Sequence, residues 1–339
     1  MNRTLLTVLK VFYIILVVLS AIIVTLFIIF KSTVKPPDVG DEVVEVIIPA
    51  ATPNPDVPVD PDTPQVSATP EVIQMKRKEN FHTFLLMGTD DGNGNADTIM
   101  VGAFDVKNNK INVLSVPRDT LVDVSRTTKK INGAYGMGGV EQLLDELTPI
   151  LGFRPDHYIM VDIQAFVDVV NILGGVSYNV PEDMYHNDGA GFIIDLKKGP
   201  QTLDGNEALQ LVRYRGYKNG SADLGRMQTQ QKFLKEFAKQ VLSWSTVTKI
   251  NEFAQVLSKY FKTDLSVSEL AWFGTAALQL DLSNDITFGT LPGDGGVTYK
   301  GIPYYYELFP DQCYELINSM LNPYTTDLPP KLIRIFQVS

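Results

Sequence analysis

The chain has 339 residues, with 29 Lys and Arg against 39 Asp and Glu, for a net charge of −10. That length suits one large domain with flanking segments, and so acidic a balance excludes a general nucleic-acid binder, which needs a basic surface to displace counterions from phosphates. Cys313 is the only cysteine, which excludes an intramolecular disulfide and a thiolate zinc site.

The first element is Val11–Phe30, an uncharged apolar run broken only by Ser20 and Thr25, with Arg3 and Lys10 before it and Lys31 and Lys35 after it. At about 1.5 Å per residue it spans roughly 30 Å, the thickness of a bilayer core. A cleaved signal peptide is the alternative, but the run is long for one and no small-x-small site follows. Residues 1–31 are therefore expected to form a short cytoplasmic tail and one N-terminal transmembrane helix, with the bulk of the chain outside the cytoplasmic membrane. Residues 32–79 follow as an extracytoplasmic linker. Pro36, Pro37, Pro49, Pro53, Pro55, Pro58, Pro61, Pro64 and Pro70 lie in it among several acidic residues, a composition that buries too little apolar surface to offset ordering entropy.

From Phe81 the pattern changes. Thr83–Met87 reads as a short buried strand ending in Gly88. Thr98–Val106 and Lys110–Val116 read as a hairpin turning at Lys107-Asn108-Asn109. A helix over Val140–Leu151, a strand over His157–Asp162, a helix over Gln164–Ile172 and a strand over Val176–Val180 come next. Asn206–Leu211 leads into a strand-like stretch, Val212–Arg215. Met227–Trp244 is the clearest helix, because Phe233, Leu234, Phe237, Ala238, Val241 and Leu242 recur at helical spacing. Asp223 or its successor is placed to cap it. Thr246–Tyr260 and Val267–Leu278 read as helices, Ile286–Leu291 as a strand and Glu315–Leu321 as a last helix. With no linker-like stretch between residues 80 and 339, the expected fold class is α/β, a single domain with a mixed central sheet covered by helices.

Four clusters place ionisable groups at the ends of apolar elements. Asp90 and Asp97 flank the loop Asp91-Gly92-Asn93-Gly94-Asn95 between two strands. Carboxylates at adjacent strand ends can converge on Mg²⁺, which takes hard oxygen ligands, although Asp, Asn and Gly also serve ordinary turns. Arg118 lies at the mouth of a strand in Ser115-Val116-Pro117-Arg118-Asp119. Its planar guanidinium matches phosphate oxygens, and a plain surface pair with Asp119 is the alternative. Arg213 and Arg215, if in a strand, share one face, an arrangement favoured when an anion lies between them and otherwise simply solvated. Asp223, Arg226 and Gln230 open the clearest helix, Arg226 and Gln230 lying one turn apart in line with its apolar stripe. Helix N-termini attract phosphate, and ordinary capping is the other account. This set of cations and carboxylates in an acidic chain suits a pyrophosphate ester held by metal and arginines. No Walker A, GxSxG or HExxH motif is present. The scattered His82, His157 and His186 read as structural.

At these residues the chain resembles the LytR-CpsA-Psr family. The matching segments are FLLMGTD (84–90), ADTIM (96–100), SVPRDT (115–120), KINGAY (130–135), GGV (174–176), LDGNEALQLVRYR (203–215) and the run from Asp223 through Gln231, with LPGDGG (291–296) and NPY (322–324) resembling the longer members. The resemblance implies an extracytoplasmic domain that binds a polyprenyl-pyrophosphate-linked glycopolymer, its lipid in an apolar tunnel between sheet and helices. It implies transfer of the polymer phosphate to a sugar hydroxyl of peptidoglycan, with release of polyprenyl phosphate. On this resemblance Asp90 and Asp97 match the Mg²⁺ carboxylates. Arg118, Arg213 and Arg215 match the pyrophosphate-binding arginines, Arg226 and Gln230 match polar residues of the same pocket, and Lys130 and Asn132 match the KIN motif, Lys130 being expected to bind pyrophosphate with the others. Arg118, Asp97 and Asp223 are the expected catalytic residues, either aspartate serving as proton acceptor. Asn95 and Thr229 stand where the family usually has arginine. A polyprenyl-pyrophosphate hydrolase and a non-catalytic cell-envelope binding or regulatory protein are the rival readings.

Overall fold

The computed structural model describes residues 36–39, 43–48, 71–89, 94–187, 189, 191–216, 222–241 and 261–338. The apolar run Val11–Phe30, the carboxylate Asp90 and the expected helix Thr246–Tyr260 lie outside them. Among the described residues no helix is long and apolar enough to cross a membrane. The chain divides into two compact units, Met1–Asp38 with Leu265–Gln279, and Val39–Asp264 with Leu280–Ser339.

The larger unit begins with β1 (Val43–Ile48) and β2 (Glu71–Lys76), which pair antiparallel from Val43↔Lys76 to Ile48↔Glu71. This corrects the expected linker over residues 32–79. The prolines cluster between residues 49 and 70 and mask two short apolar runs on either side. Met75 is fully buried in the main core, and Val44 and Ile73 pack against it. Arg77 follows, buried, with Nη2 2.8 Å from Asp156 Oδ2. The same carboxylate oxygen accepts from the Thr83 amide and hydroxyl, each at 2.8 Å. Asp156→Ala would leave a buried, uncompensated guanidinium, so it should destabilise the protein by about 3–5 kcal/mol in urea unfolding. A loss below about 1 kcal/mol would show that water already screens this pair.

The elements that follow are β3 (Phe81–Thr89), β4 (Ala96–Asp105), β5 (Lys110–Ser115), α1 (Ala134–Leu151), β6 (His157–Asp162), α2 (Ile163–Ile172), β7 (Val176–Val180), β8 (Met184–Asn187), β9 (Ile193–Leu196), β10 (Gly199–Leu203), α3 (Gly205–Arg213), α4 (Ala222–Val241) and β11 (Lys262–Thr263). After α5 (Val267–Ala277), which belongs to the other unit, come β12 (Ile286–Thr290), β13 (Gly293–Tyr299), β14 (Ile302–Leu308) and α6 (Pro310–Met320). Helix α5 opens with a capping box between Ser266 and Glu269.

The central sheet is mixed, as expected, in the order β11-β6-β3-β4-β5-β12. β3 pairs antiparallel with β4 and parallel with β6, and β12 adds parallel to β5. β3 is buried at seven of its nine positions because both faces of the sheet are covered. One face packs on α1 and α6 through residues such as Leu85, Leu143, Leu147, Ile317 and Leu321. A second apolar cluster joins α2, α3 and α4 with β7 and β9 through Val170, Val176, Leu211, Phe233 and Ile194.

Several elements differ from expectation for local reasons. α1 starts at Ala134 rather than Val140, and Gly138 and Gly139 leave helical geometry within it; the kink interrupts the apolar period, so only the later part is legible as helix. Val212–Arg215 is not a strand. A capping box between Asp204 and Glu207 starts α3, which runs to Arg213. α4 starts at Ala222, five residues before expectation, so Asp223 lies inside its first turn and does not precede the helix as a cap. α6 likewise starts at Pro310, where proline suits the first turn.

His82 sits in β3 with its ring 6.2 Å from that of His157. Burial pushes its imidazole down to about 4, the charge of Asp156 acting weakly in the opposite direction. The unfolded chain takes up a proton near pH 6.5 that the folded protein refuses until about pH 4. Stability is therefore lost as pH falls through that window, by up to about 2 kcal/mol between pH 7 and 5. His82→Phe should flatten that part of the pH profile in urea denaturation; an unchanged slope would place the acid sensitivity elsewhere.

Candidate functional site

A cavity of about 910 Å³ lies between the sheet and the helices α2, α3 and α4. Its floor follows from strand register. Leu86 pairs with Met100 on one side and Ile159 on the other, and Gly88 pairs with Thr98 and Val161, so two cross-strand rows face the same side. Phe166 and Val169 of α2, Leu209 and Val212 of α3, and Phe233, Leu234 and Phe237 of α4 complete the apolar part.

The next row along the strands is polar. Asp162 pairs with Thr89 at the end of β6, and its side chain caps α2 by accepting from the Ala165 amide at 2.7 Å. On the other side of Thr89 the ladder is irregular. Gly88 pairs with Thr98 but Thr89 pairs with Ala96, so Asp97 is an extra, bulged residue. Strict alternation would have put Asp97 on the face of its neighbour Ile99, which is in the main core. The bulge reverses the parity: Ala96 enters that core and Asp97 lines the cavity.

Asp97 Oδ1 accepts from Arg118 Nη1 at 2.8 Å, the two side chains being 33% and 25% exposed. Arg118 sits on a turn fixed from several sides. Pro117 ends β5, and its carbonyl accepts from the Thr120 amide and hydroxyl. The Arg118 carbonyl accepts from the Asn132 amide, and the Asp119 carbonyl accepts from the Tyr306 amide of β14. Charge continues away from Asp97: Arg118 Nε is 3.8 Å from Asp119 Oδ2, and Lys130 Nζ is 3.1 Å from Asp119 Oδ1. Among the described residues, Arg118 Nε is buried without a hydrogen-bond partner. Arg118 and Lys130 thus stand behind Asp97 rather than in the cavity lining itself.

The opposite wall carries the other cations. Arg213 is the last residue of α3, and Tyr214 after it is extended and buried, so Arg213 and Arg215 both stay exposed. Both line the cavity. Their expected shared face is real, but it comes from an extended residue after a helix, not from a strand. Arg226 and Gln230 also line the cavity, in register with Phe233 and Phe237 on α4. Arg226 is only 6% exposed. Gln230 Nε2 donates to the Val212 carbonyl at 3.1 Å, serving one of the free carbonyls at the end of α3. Polarity therefore runs the same way on every wall: toward the ends of β3 and β6, the start of α4 and the end of α3.

Asp90 and the side chain of Asp223 are outside the described residues. Among the described residues no three His, Cys, Asp or Glu gather as a metal cluster. The donor chemistry nevertheless fits Mg²⁺, which binds through one or two carboxylates and keeps several waters. Asp97 commits one oxygen to Arg118, and its second accepts from none of the described residues. Asp90 is next in sequence to Thr89, the last residue of the adjacent strand β3.

Sequence reasoning assigned no site role to four residues in or beside the cavity, among them His186, which it reads as structural. His186 lines the cavity from the β8–β9 hairpin, where it pairs with Ile194. Phe192 lines it beside Arg213, and Asp162 was hidden as the last residue of an apolar strand. Gln231, next to Gln230, turns the other way. Its Nε2 reaches Ser115 Oγ at 3.0 Å, the Gly289 carbonyl at 2.8 Å and Thr290 Oγ1 at 3.1 Å, tying α4 to the ends of β5 and β12. Thr229 is buried and does not line the cavity.

The LytR_cpsA_psr family model matches residues 57–321. Regulatory protein MsrR of Staphylococcus aureus (strain COL) is 35% identical over 189 residues, 54% of this chain and 56% of MsrR. The polyisoprenyl-teichoic acid–peptidoglycan teichoic acid transferase TagV of Bacillus subtilis (strain 168) is 32% identical over 210 residues, 59% of this chain and 53% of TagV. The chain thus spans about half the length of these relatives. The crystal structure of B. subtilis TagV matches with a TM-score of 0.61 at 29% identity, over 71% of this chain and 96% of that chain. A structure of TagT bound to LIIa-WTA matches with a TM-score of 0.59 at 25% identity, over 73% of this chain and 92% of that one.

Proposed function

The chain belongs to the LytR_cpsA_psr family, and from that membership we propose that it transfers a glycopolymer from a polyprenyl-pyrophosphate carrier to peptidoglycan. The observation that carries this reading is the gradient within one cavity, apolar between sheet and helices and rich in arginine at its mouth. An isoprenoid chain gains about 0.8 kcal/mol for each buried methylene in the apolar part. Its diphosphate then meets Arg213, Arg215 and Arg226, with Arg118 behind Asp97. The transferase name of TagV, matched over about half of that protein, supports the same reading.

In the proposed step an acceptor sugar hydroxyl attacks the phosphorus that carries the glycan. The new P–O bond forms as the bond to the bridging oxygen breaks, and polyprenyl phosphate leaves with the electron pair. Arg118, Arg213 and Arg215 take up the charge that develops on the leaving and non-bridging oxygens. The hydroxyl proton passes to a carboxylate, Asp97 at the mouth or Asp223. Asp97, with Asp90, would hold Mg²⁺, which supplies further charge neutralisation on the diphosphate. The run Val11–Phe30 would keep the domain on the outer face of the cytoplasmic membrane, within reach of a lipid-linked donor and of peptidoglycan.

The test is to incubate the protein with a polyprenyl-pyrophosphate-linked oligosaccharide and peptidoglycan fragments, with and without Mg²⁺, and to follow products by mass spectrometry. A Mg²⁺-dependent glycan–peptidoglycan adduct is the expected result. Polyprenyl phosphate released without an adduct would favour hydrolysis. Binding without turnover across several donors would favour a non-catalytic envelope protein.

A further inference from the structure

Arg118 is oriented by a carboxylate, but Arg213 makes no ion pair among the described residues. Its defined neighbour is a ring: Arg213 Cζ lies over Phe192, 4.9 Å from the ring centroid. The hairpin that carries Phe192 is itself docked on α3. The Asp195 amide donates to Gln210 Oε1 at 2.9 Å, and Ile194 and Leu196 are buried in the same cluster as Leu211. The ring and the guanidinium therefore share one support, and both line the cavity.

An aromatic face holds a guanidinium without using its in-plane N–H donors. A carboxylate in the same place would occupy two of them and cancel the charge. We propose that Phe192 is a positioning residue, whose ring sets the Arg213 guanidinium across the cavity mouth with its donors free for a diphosphate. This rests on the reading of Arg213 as a diphosphate ligand. The ring's role is electronic and planar, so leucine, which fills similar apolar space, does not replace it.

The test is titration of the full chain with inorganic pyrophosphate by calorimetry. Phe192→Leu should weaken binding about two- to fivefold, the range for losing a cation–π contact at an exposed site. Phe192→Tyr and Phe192→Trp should restore it. In an Arg213→Ala background, Phe192→Leu should add less than a twofold change. Wild-type affinity in Phe192→Leu, no rescue by the aromatic variants, or an equal penalty in the Arg213→Ala background would each overturn the proposal. If the wild-type chain binds no pyrophosphate, the functional reading falls by itself. The pairing is then decided by urea midpoints of the two single variants and the double variant, where non-additivity upholds it and additivity overturns it.

Discussion

Arg118→Ala should lower transfer to peptidoglycan by about 10²–10³-fold, the usual loss when one preorganised donor to developing charge is removed. The fold should survive. The turn carrying Arg118 is held by backbone hydrogen bonds through Asn132, Thr120 and Tyr306, none of which uses the guanidinium. The lost contact to Asp97 is a partly exposed pair, worth under about 1 kcal/mol, so the urea midpoint should move little. Arg118→Lys should recover only a small part of the rate. A lysine offers a point charge, whereas the guanidinium reaches Asp97 with Nη1 and keeps further planar donors for phosphate. Combining Arg118→Ala with Asp97→Asn should cost far less than the product of the two single losses, because the two groups form one unit. Near-normal transfer by a folded Arg118→Ala protein would remove Arg118 from the chemistry and, with it, the proposed path of charge.

Much of the central sheet was legible because its strands are apolar on both faces and bounded by turn residues. β6 falls at its expected bounds, as does β7 in the smaller sheet that it forms with β10. What was not legible depends on pairing rather than on composition. Asp97 reaches the cavity only because one residue of β4 is bulged opposite Gly88 and Thr89, and no local pattern in Ala96-Asp97-Thr98 announces that. Arg213 and Arg215 were matched to one site, yet by a strand argument that fails; α3 continues to Arg213 because its capping box, Asp204 with Glu207, lies well upstream. His186 and Phe192 became visible only once the β8–β9 hairpin was seated on α3. The opposite error occurred near the N-terminus, where proline content hid Val43–Ile48 and Glu71–Lys76, two strands whose value lies in pairing with each other. Cys313, the only cysteine, is buried in the main core, and burial pushes its thiol up to about 12.

Leu86→Trp should weaken use of long-chain donors by about 50-fold or more in KM while leaving inorganic pyrophosphate binding intact. Leu86 lies in the inner of the two floor rows, flanked across the strands by Met100 and Ile159, and the polar mouth begins three residues farther along β3. An indole there occupies space that the proposed reading gives to isoprenoid. Expelling even three methylenes forfeits about 2.4 kcal/mol, roughly a 50-fold rise in KM. The same substitution fills empty volume rather than crowding a packed core, so folding stability should hold or rise slightly. Donors with a short prenyl chain should be affected much less, since their apolar part need not pass the indole. Leu86→Ala is the complementary variant: it enlarges the cavity, should cost stability, and should leave long donors usable. These two variants separate the lipid from the diphosphate half of the cavity. If Leu86→Trp used long and short donors as well as the wild type does, the apolar space would be part of the packing and not a lipid site. The arginine-lined mouth would then be a diphosphate site without a tunnel behind it.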